Sequence, residues 1–356
     1  MMAPSAMLLL AALAAALSVS AAAEAVQCVA VQPPQWGGPA VDVAVWGAGL
    51  SQKRTFTLRL PQRRPPGGEQ LPLVMAVHGA FQTAAQYLSV TGVDGAVTSA
   101  GLVLAAPHAR NAAACNCSVW GGTLIRTDRG AAIAAAVQRD GIVQFNSPEL
   151  PFLNAMVSCM TDVLHVPLSG DIFLTGFSQG ARVATQLACT PPPRFSVRAA
   201  VVYGPVFVDV DHPTCGAGPV RLLAMASKED VATPFCSGLS DLAPGLPELS
   251  SWAHNISRCT HPLPDEAWCA LGKHASGGGF HALRAFSWGG CSTEVGLLYV
   301  SNQVERTGHT WPGPMPELGG RDANAVMLQF FRGASLSAIV AGTLRACDSA
   351  AAWPCH

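Results

Sequence analysis

The chain has 356 residues, of which 50% are hydrophobic and only 12% charged, with a formal net charge of −1. That much apolar material supports a large buried core and excludes a disordered chain. No long run of one charge sign occurs, so nothing points to nucleic acid or to a polybasic membrane contact.

Taken in chain order, residues 7–19 form an almost pure Ala, Leu and Met run. It is short for a bilayer span and reads as a signal-peptide core, with Ala23-Glu24-Ala25 as an A-x-A cleavage pattern. The expected organisation is a signal peptide over residues 1–25 and a single catalytic domain over 26–356. The product is expected outside the cell, with no membrane association after cleavage. Residues 54–60 alternate polar and apolar side chains, as a half-buried edge strand does. A Pro/Gly/Arg-rich turn over 61–68 precedes a continuous apolar run at 71–77, which ends in His78-Gly79. A second such run covers 102–106. Helical spacing of apolar residues marks 149–165, a short strand 172–174, and a helix 181–188 that stops before Pro191-Pro192-Pro193. Further buried strands are predicted at 199–203, 220–224 and 295–300, and helices at 323–331 and 336–345. Residues 241–279, rich in Pro, Gly, Ser and Cys, read as a disulfide-tied excursion or lid.

Twelve cysteines in an exported chain predict up to six disulfides, with Cys347 and Cys355 as a pair that would tie down the tail. Cys115-Asn116-Cys117 is not a C-x-x-C pattern, and no structural metal is expected. Asn116-Cys117-Ser118 and Asn255-Ile256-Ser257 are glycosylation sequons.

Buried apolar strands alternating with helices imply a mostly parallel central sheet with helices on both faces. Functional residues then belong on loops at the C-terminal ends of the strands. Gly176-Phe177-Ser178-Gln179-Gly180 is weak evidence alone, but a strand precedes it and a small-residue helix follows. That is the setting of a nucleophile elbow in an α/β-hydrolase fold. Ser178 is the expected nucleophile. The acid and the histidine follow the serine in this fold. His309, between Gly308 and the Pro312-Gly313 turn, is the expected base. Asp230, in Ser227-Lys228-Glu229-Asp230 after a strand, is the expected acid, with Glu229 its competitor. The oxyanion donors are expected to be the backbone N–H groups of Gln179 and Ala80, with Phe81 as an alternative to Ala80. His78 is expected to support that turn rather than to react. Phe81, Trp120 and Trp311 are candidate substrate-lining residues, with packing as the competing reading for the two tryptophans.

His78-Gly79-Ala80-Phe81-Gln82-Thr83-Ala84, the Gly176–Gly180 run, Ser227-Lys228-Glu229-Asp230 with Pro234, and Gly308-His309-Thr310-Trp311-Pro312-Gly313 occur in one order. Together they resemble the polyhydroxybutyrate depolymerase and feruloyl esterase family of secreted esterases. Trp252-Ala253-His254-Asn255 leading to Cys259 resembles a further segment of that family. The resemblance spans roughly residues 50–332 and implies an α/β-hydrolase fold. It implies hydrolysis of carboxylic esters, polymeric ones among them, through Ser178, Asp230 and His309, with no metal or organic cofactor. Two features depart from the family pattern: Ala80 stands where a cysteine is common, and the acid loop is altered. A peptidase or acyltransferase on the same fold uses the same triad, and a hydrolase-like binding protein would keep the fold without the chemistry. Oligomeric state is not legible.

Overall fold

In a computed structural model, the structure describes residues 25–47, 49–112, 117–120, 149–191, 193–204, 218, 220–227, 230, 249–261, 264, 266–273, 280–301, 309–315 and 318–347. The signal-peptide residues 1–24, Asn116, Glu229, Cys355 and parts of the 241–279 segment lie outside these. Among the described residues no helix is long and apolar enough to cross a membrane.

The centre of the molecule is built from strands with apolar side chains on both faces. β1 (Gln27–Ala30), β2 (Val41–Trp46) and β3 (Arg54–Arg59) form an antiparallel entry to the sheet. β4 (Leu71–Val77) and β5 (Val103–Pro107) follow, then a small hairpin of β6 (Arg110–Ala112) and β7 (Cys117–Val119). β8 (Leu168–Phe177), β9 (Ser196–Tyr203) and β10 (Arg221–Ser227) continue the sheet. β11 (Glu266–Lys273), β12 (Phe280–Ser287), β13 (Val295–Ser301) and β14 (Arg345–Ala346) complete it. The order across the large sheet is β1-β2-β3-β5-β4-β8-β9-β10-β13-β12-β11-β14. The five pairings from β5 through β4, β8, β9 and β10 to β13 are all parallel.

The helices cover both faces. Leu73, Met75 and Val77 of β4 enter one apolar cluster with Phe152 and Leu153 of α3 (Glu149–Ser158) and Ala181, Ala184 and Leu187 of α4 (Gln179–Cys189). The alternate residues Val74 and Ala76 enter a second cluster. That cluster holds Tyr87 of α1 (Ala84–Thr91), Val97 of α2 (Val93–Ser99), Met327 of α5 (Ala323–Phe331) and Leu336 of α6 (Leu336–Val340). Period-two alternation therefore sends successive side chains into different cores, which is why these strands read as unbroken apolar runs. Each fully buried Val, Leu or Met contributes about 1.5–3 kcal/mol relative to exposure.

The connection from β4 runs to β5 on one side and the chain then returns to β8 on the other. This is a topological switch point, and in an open parallel sheet the crevice outside the strand ends lies there. The mostly parallel sheet, helices on both faces and a strand–turn–helix at β8–α4 make this an α/β-hydrolase fold.

Four expectations change. β3 is an interior strand, because β1 and β2 extend the sheet beyond it. Within residues 241–279, Glu266–Lys273 is a strand of the central sheet, not part of an excursion. The region predicted helical to residue 165 leaves the α-helix at Ser158 for a π-turn over Cys159–Val163. The last helix stops at Val340, since Gly342 turns the chain at φ +75° and Arg345–Ala346 joins the sheet beside β11. Disulfides link Cys28 to Cys159 and Cys259 to Cys291. Cys189 and Cys347 are also disulfide-bonded, and no described cysteine is a free thiol.

Candidate active site

Ser178 joins β8 to α4 with φ +55° and ψ −124°, a conformation that non-glycine residues rarely adopt. Its N–H donates to the Tyr203 carbonyl at 2.7 Å, so the next strand holds the strained residue in place. The two flanking glycines are there for space. A Cβ at Gly176 would lie 2.3 Å from the Gly180 carbonyl oxygen. One at Gly180 would lie 2.2 Å from that of Val77 and 2.4 Å from that of His78. Helix α4 therefore packs directly on the end of β4, and Ser178 and the His78 turn become neighbours.

Asp230 follows the end of β10 and His309 follows β13. His309 Nδ1 lies 2.7 Å from Asp230 Oδ2, with Asp230 2% exposed and His309 partly buried. An ionised carboxylate only accepts, so Nδ1 carries the proton and Nε2 is left to accept one. The imidazole sits 4.7 Å from the Phe177 ring and 6.1 Å, edge-on, from that of Tyr203. Phe177 precedes Ser178, so these contacts bring the histidine–aspartate pair to the elbow. Glu229 lies outside the described residues.

The turn after β4 is fixed by hydrogen bonds to neighbouring segments. Gly79 N–H donates to Gln82 Oε1 at 3.1 Å, and Phe81 N–H to the Ser118 carbonyl at 2.7 Å. The Phe81 amide is thus committed to the protein and is not a spare oxyanion donor. Ala80 N–H has no protein acceptor among the described residues. The Gln179 N–H stands at the first position of α4, where a helix start favours negative charge.

A clamp joins these two positions. Trp120 Nε1–H donates to the His78 carbonyl at 2.7 Å. Trp120 N–H donates to Gln179 Oε1 at 3.0 Å, and Gln179 Nε2 returns a bond to the Trp120 carbonyl at 3.2 Å. His78 Nε2 accepts from Ala109 N–H at 3.1 Å, so its Nδ1 is the protonated nitrogen and donates to the Gly79 carbonyl at 2.7 Å. Burial pulls the His78 pKa down to about 4, so the ring is neutral near pH 7.

Two candidate substrate-lining residues are built into the scaffold instead. Trp120 is 1% exposed because its indole N–H and backbone form the clamp. Trp311 is buried, stands edge-on to Tyr87, and donates Nε1–H to Asn324 Oδ1 at 3.1 Å. Asn324 in turn donates to the Thr91 carbonyl, tying α5 to α1. Of the three, Phe81 alone is exposed, at 51%. Among the described residues no group of three His, Cys, Asp or Glu side chains could hold a metal. Tyr203 and the Gln179 side chain were not singled out from the sequence, although Tyr203 ends a predicted strand on the side where this fold places its chemistry.

No family model matches the chain. NocK of Nocardia uniformis subsp. tsuyamanensis, described as a candidate esterase, is 26% identical over 272 residues, covering 73% of this chain and 71% of that protein. Among solved structures, an acetyl xylan esterase from Aspergillus awamori is similar at 13% identity and a TM-score of 0.45, over 80% of this chain and 94% of that one. An S-formylglutathione hydrolase from Agrobacterium tumefaciens is similar at 14% identity and a TM-score of 0.37, over 57% and 80%.

Proposed function

We propose that this chain is a secreted serine esterase that cleaves carboxylic esters through an acyl-enzyme. The observation that carries the reading is the buried Asp230–His309 pair, 2.7 Å apart, set beside the strained Ser178 elbow. In the proposed cycle Ser178 Oγ attacks the ester carbonyl while His309 Nε2 takes its proton. Asp230 holds the imidazole tautomer and stabilises the imidazolium. Negative charge on the carbonyl oxygen is met by the N–H groups of Ala80 and Gln179. Collapse breaks the C–O bond, and His309 returns its proton to the leaving alcohol. Water, deprotonated by His309, then releases the acid.

The similarity to NocK supports an esterase over a peptidase. The substrate class is a polyhydroxybutyrate-type polyester or its oligomers, or feruloyl or acetyl esters of plant polysaccharide. The apolar N-terminal run and the disulfides support export.

The test is turnover of p-nitrophenyl acetate and butyrate by wild type and Ser178→Ala. The variant is expected to lose activity by about 10⁴-fold or more. Unchanged turnover would remove the assignment. Product analysis after parallel incubation with polyhydroxybutyrate, methyl ferulate and acetylated xylan then selects the substrate, and a peptide panel showing cleavage in place of ester hydrolysis would replace the esterase reading.

A further inference from the structure

The proposed cycle uses Ser178, Asp230 and His309, and one residue outside it touches all three. Tyr203 ends β9 and is fully buried. Its backbone carbonyl accepts the Ser178 N–H at 2.7 Å. Its ring stacks on Phe177 at 5.4 Å and meets His309 edge-on at 6.1 Å. Its hydroxyl hydrogen-bonds the Ser227 side chain, the Thr310 main chain and the Asp230 carboxylate. A phenol facing a carboxylate donates, so the Tyr203 proton points at Asp230. Burial, and secondarily the Asp230 charge, push the phenol pKa up, so the hydroxyl stays a donor through the working pH range.

We propose that Tyr203 is the positioning residue of the Ser178–His309–Asp230 unit, setting the elbow through its carbonyl and the Asp230 carboxylate through its hydroxyl. The inference rests on the triad reading. It has a consequence that packing alone lacks. A carboxylate deprived of one donor becomes a stronger acceptor for the imidazolium, so the protonated histidine is stabilised and the base titrates at higher pH. The titratable groups that the described residues place against the imidazole are Asp230, from the loop after β10, and Tyr203, from β9. Phe177 adds an uncharged ring. Against the Tyr203 hydroxyl stand Asp230 and the neutral Ser227 and Thr310.

The experiment is the pH profile of kcat/KM for p-nitrophenyl butyrate with wild type and Tyr203→Phe, alongside fluorophosphonate labelling of Ser178. Tyr203→Phe keeps the backbone bond and the ring. We expect kcat to fall about tenfold at little change in KM, and the acid limb to move up by about one pH unit, the worth of a hydrogen bond to a charged group. Site-specific 3-fluorotyrosine at position 203, a stronger donor that preserves the fold, moves the limb down. It keeps the test open should Tyr203→Phe fail to fold. An acid limb that stays put in every variant that folds, with Ser178 still labelled, overturns the role of Tyr203. Absence of Ser178 labelling in wild type overturns the triad reading instead.

Discussion

His78 illustrates how a single side chain couples the scaffold to pH. Its imidazole is neutral and buried, with Nε2 accepting from Ala109 and Nδ1–H donating to Gly79. Burial lowers its folded pKa to about 4, whereas the unfolded chain titrates near the ordinary value of 6.5. Between these values the unfolded state binds more protons, so stability rises with pH. The His78 contribution is complete above pH 6.5 and is lost as the pH falls toward 4, by about 3 kcal/mol in all. Urea unfolding of wild type and His78→Asn at pH 7 and pH 4.5 measures it. The stability gap between the two proteins should narrow at the lower pH, and a gap independent of pH would show that His78 is not buried neutral. His108, also pushed down chiefly by burial, acts in the same direction in both proteins, and its charge adds to the lowering of His78 in wild type alone.

At the scale of elements, α3 is fastened to β3 by a buried ion pair. Arg54 Nη2 lies 2.7 Å from Glu149 Oε2, both side chains are almost inaccessible, and the guanidinium covers the Phe152 ring at 4.1 Å. Removing Glu149 leaves the buried Arg54 and the nearby Arg110, 3.7 Å from the same carboxylate, without their partner, whereas replacing Arg54 and Glu149 together leaves only the part-exposed Arg110. Glu149→Ala should cost about 3–5 kcal/mol, and the double variant Arg54→Met/Glu149→Leu should lose clearly less. Urea unfolding with disulfides intact tests this, and a double variant as unstable as the single one would contradict it.

Legibility in sequence followed the same physics. Residues 71–77 and 323–331 were delimited correctly because their apolar patterns are long and end in clear signals. β11 and β12 carry Trp and Phe but no β-branched residues, and their Ala, Glu, Gly and Lys dilute the strand signal, so pairing with each other and β13 decides their state. α1 was missed although Thr83 and Gln86 form a capping box that the sequence does encode.

At the scale of the molecule, the sheet order gathers distant segments onto one rim. The ends of β4, β8, β9, β10 and β13 lie side by side, and the residues just beyond them include Ala80, Ser178, Asp230 and His309. The gathering of Ser178, Asp230 and His309 on this rim was legible, since a glycine-flanked serine, an acid after a strand and a loop histidine stood in the order the fold requires. What was not legible is which aromatic residues are scaffold. Trp120 and Trp311 stand near the motifs in sequence, but their indole N–H groups have partners that only the folded chain supplies. The alternative oxyanion donor at Phe81 was likewise removed by a hydrogen bond to Ser118, 37 residues away in sequence.

The central claim is that this rim makes Ser178 a nucleophile by way of His309. The measurement that meets it most directly is peptide mapping by mass spectrometry after reaction with a fluorophosphonate, on wild type and His309→Ala. The account predicts a single adduct on Ser178 in wild type, forming at least about 100-fold more slowly in the variant. An adduct on another residue, or equal rates of labelling in the two proteins, would contradict it.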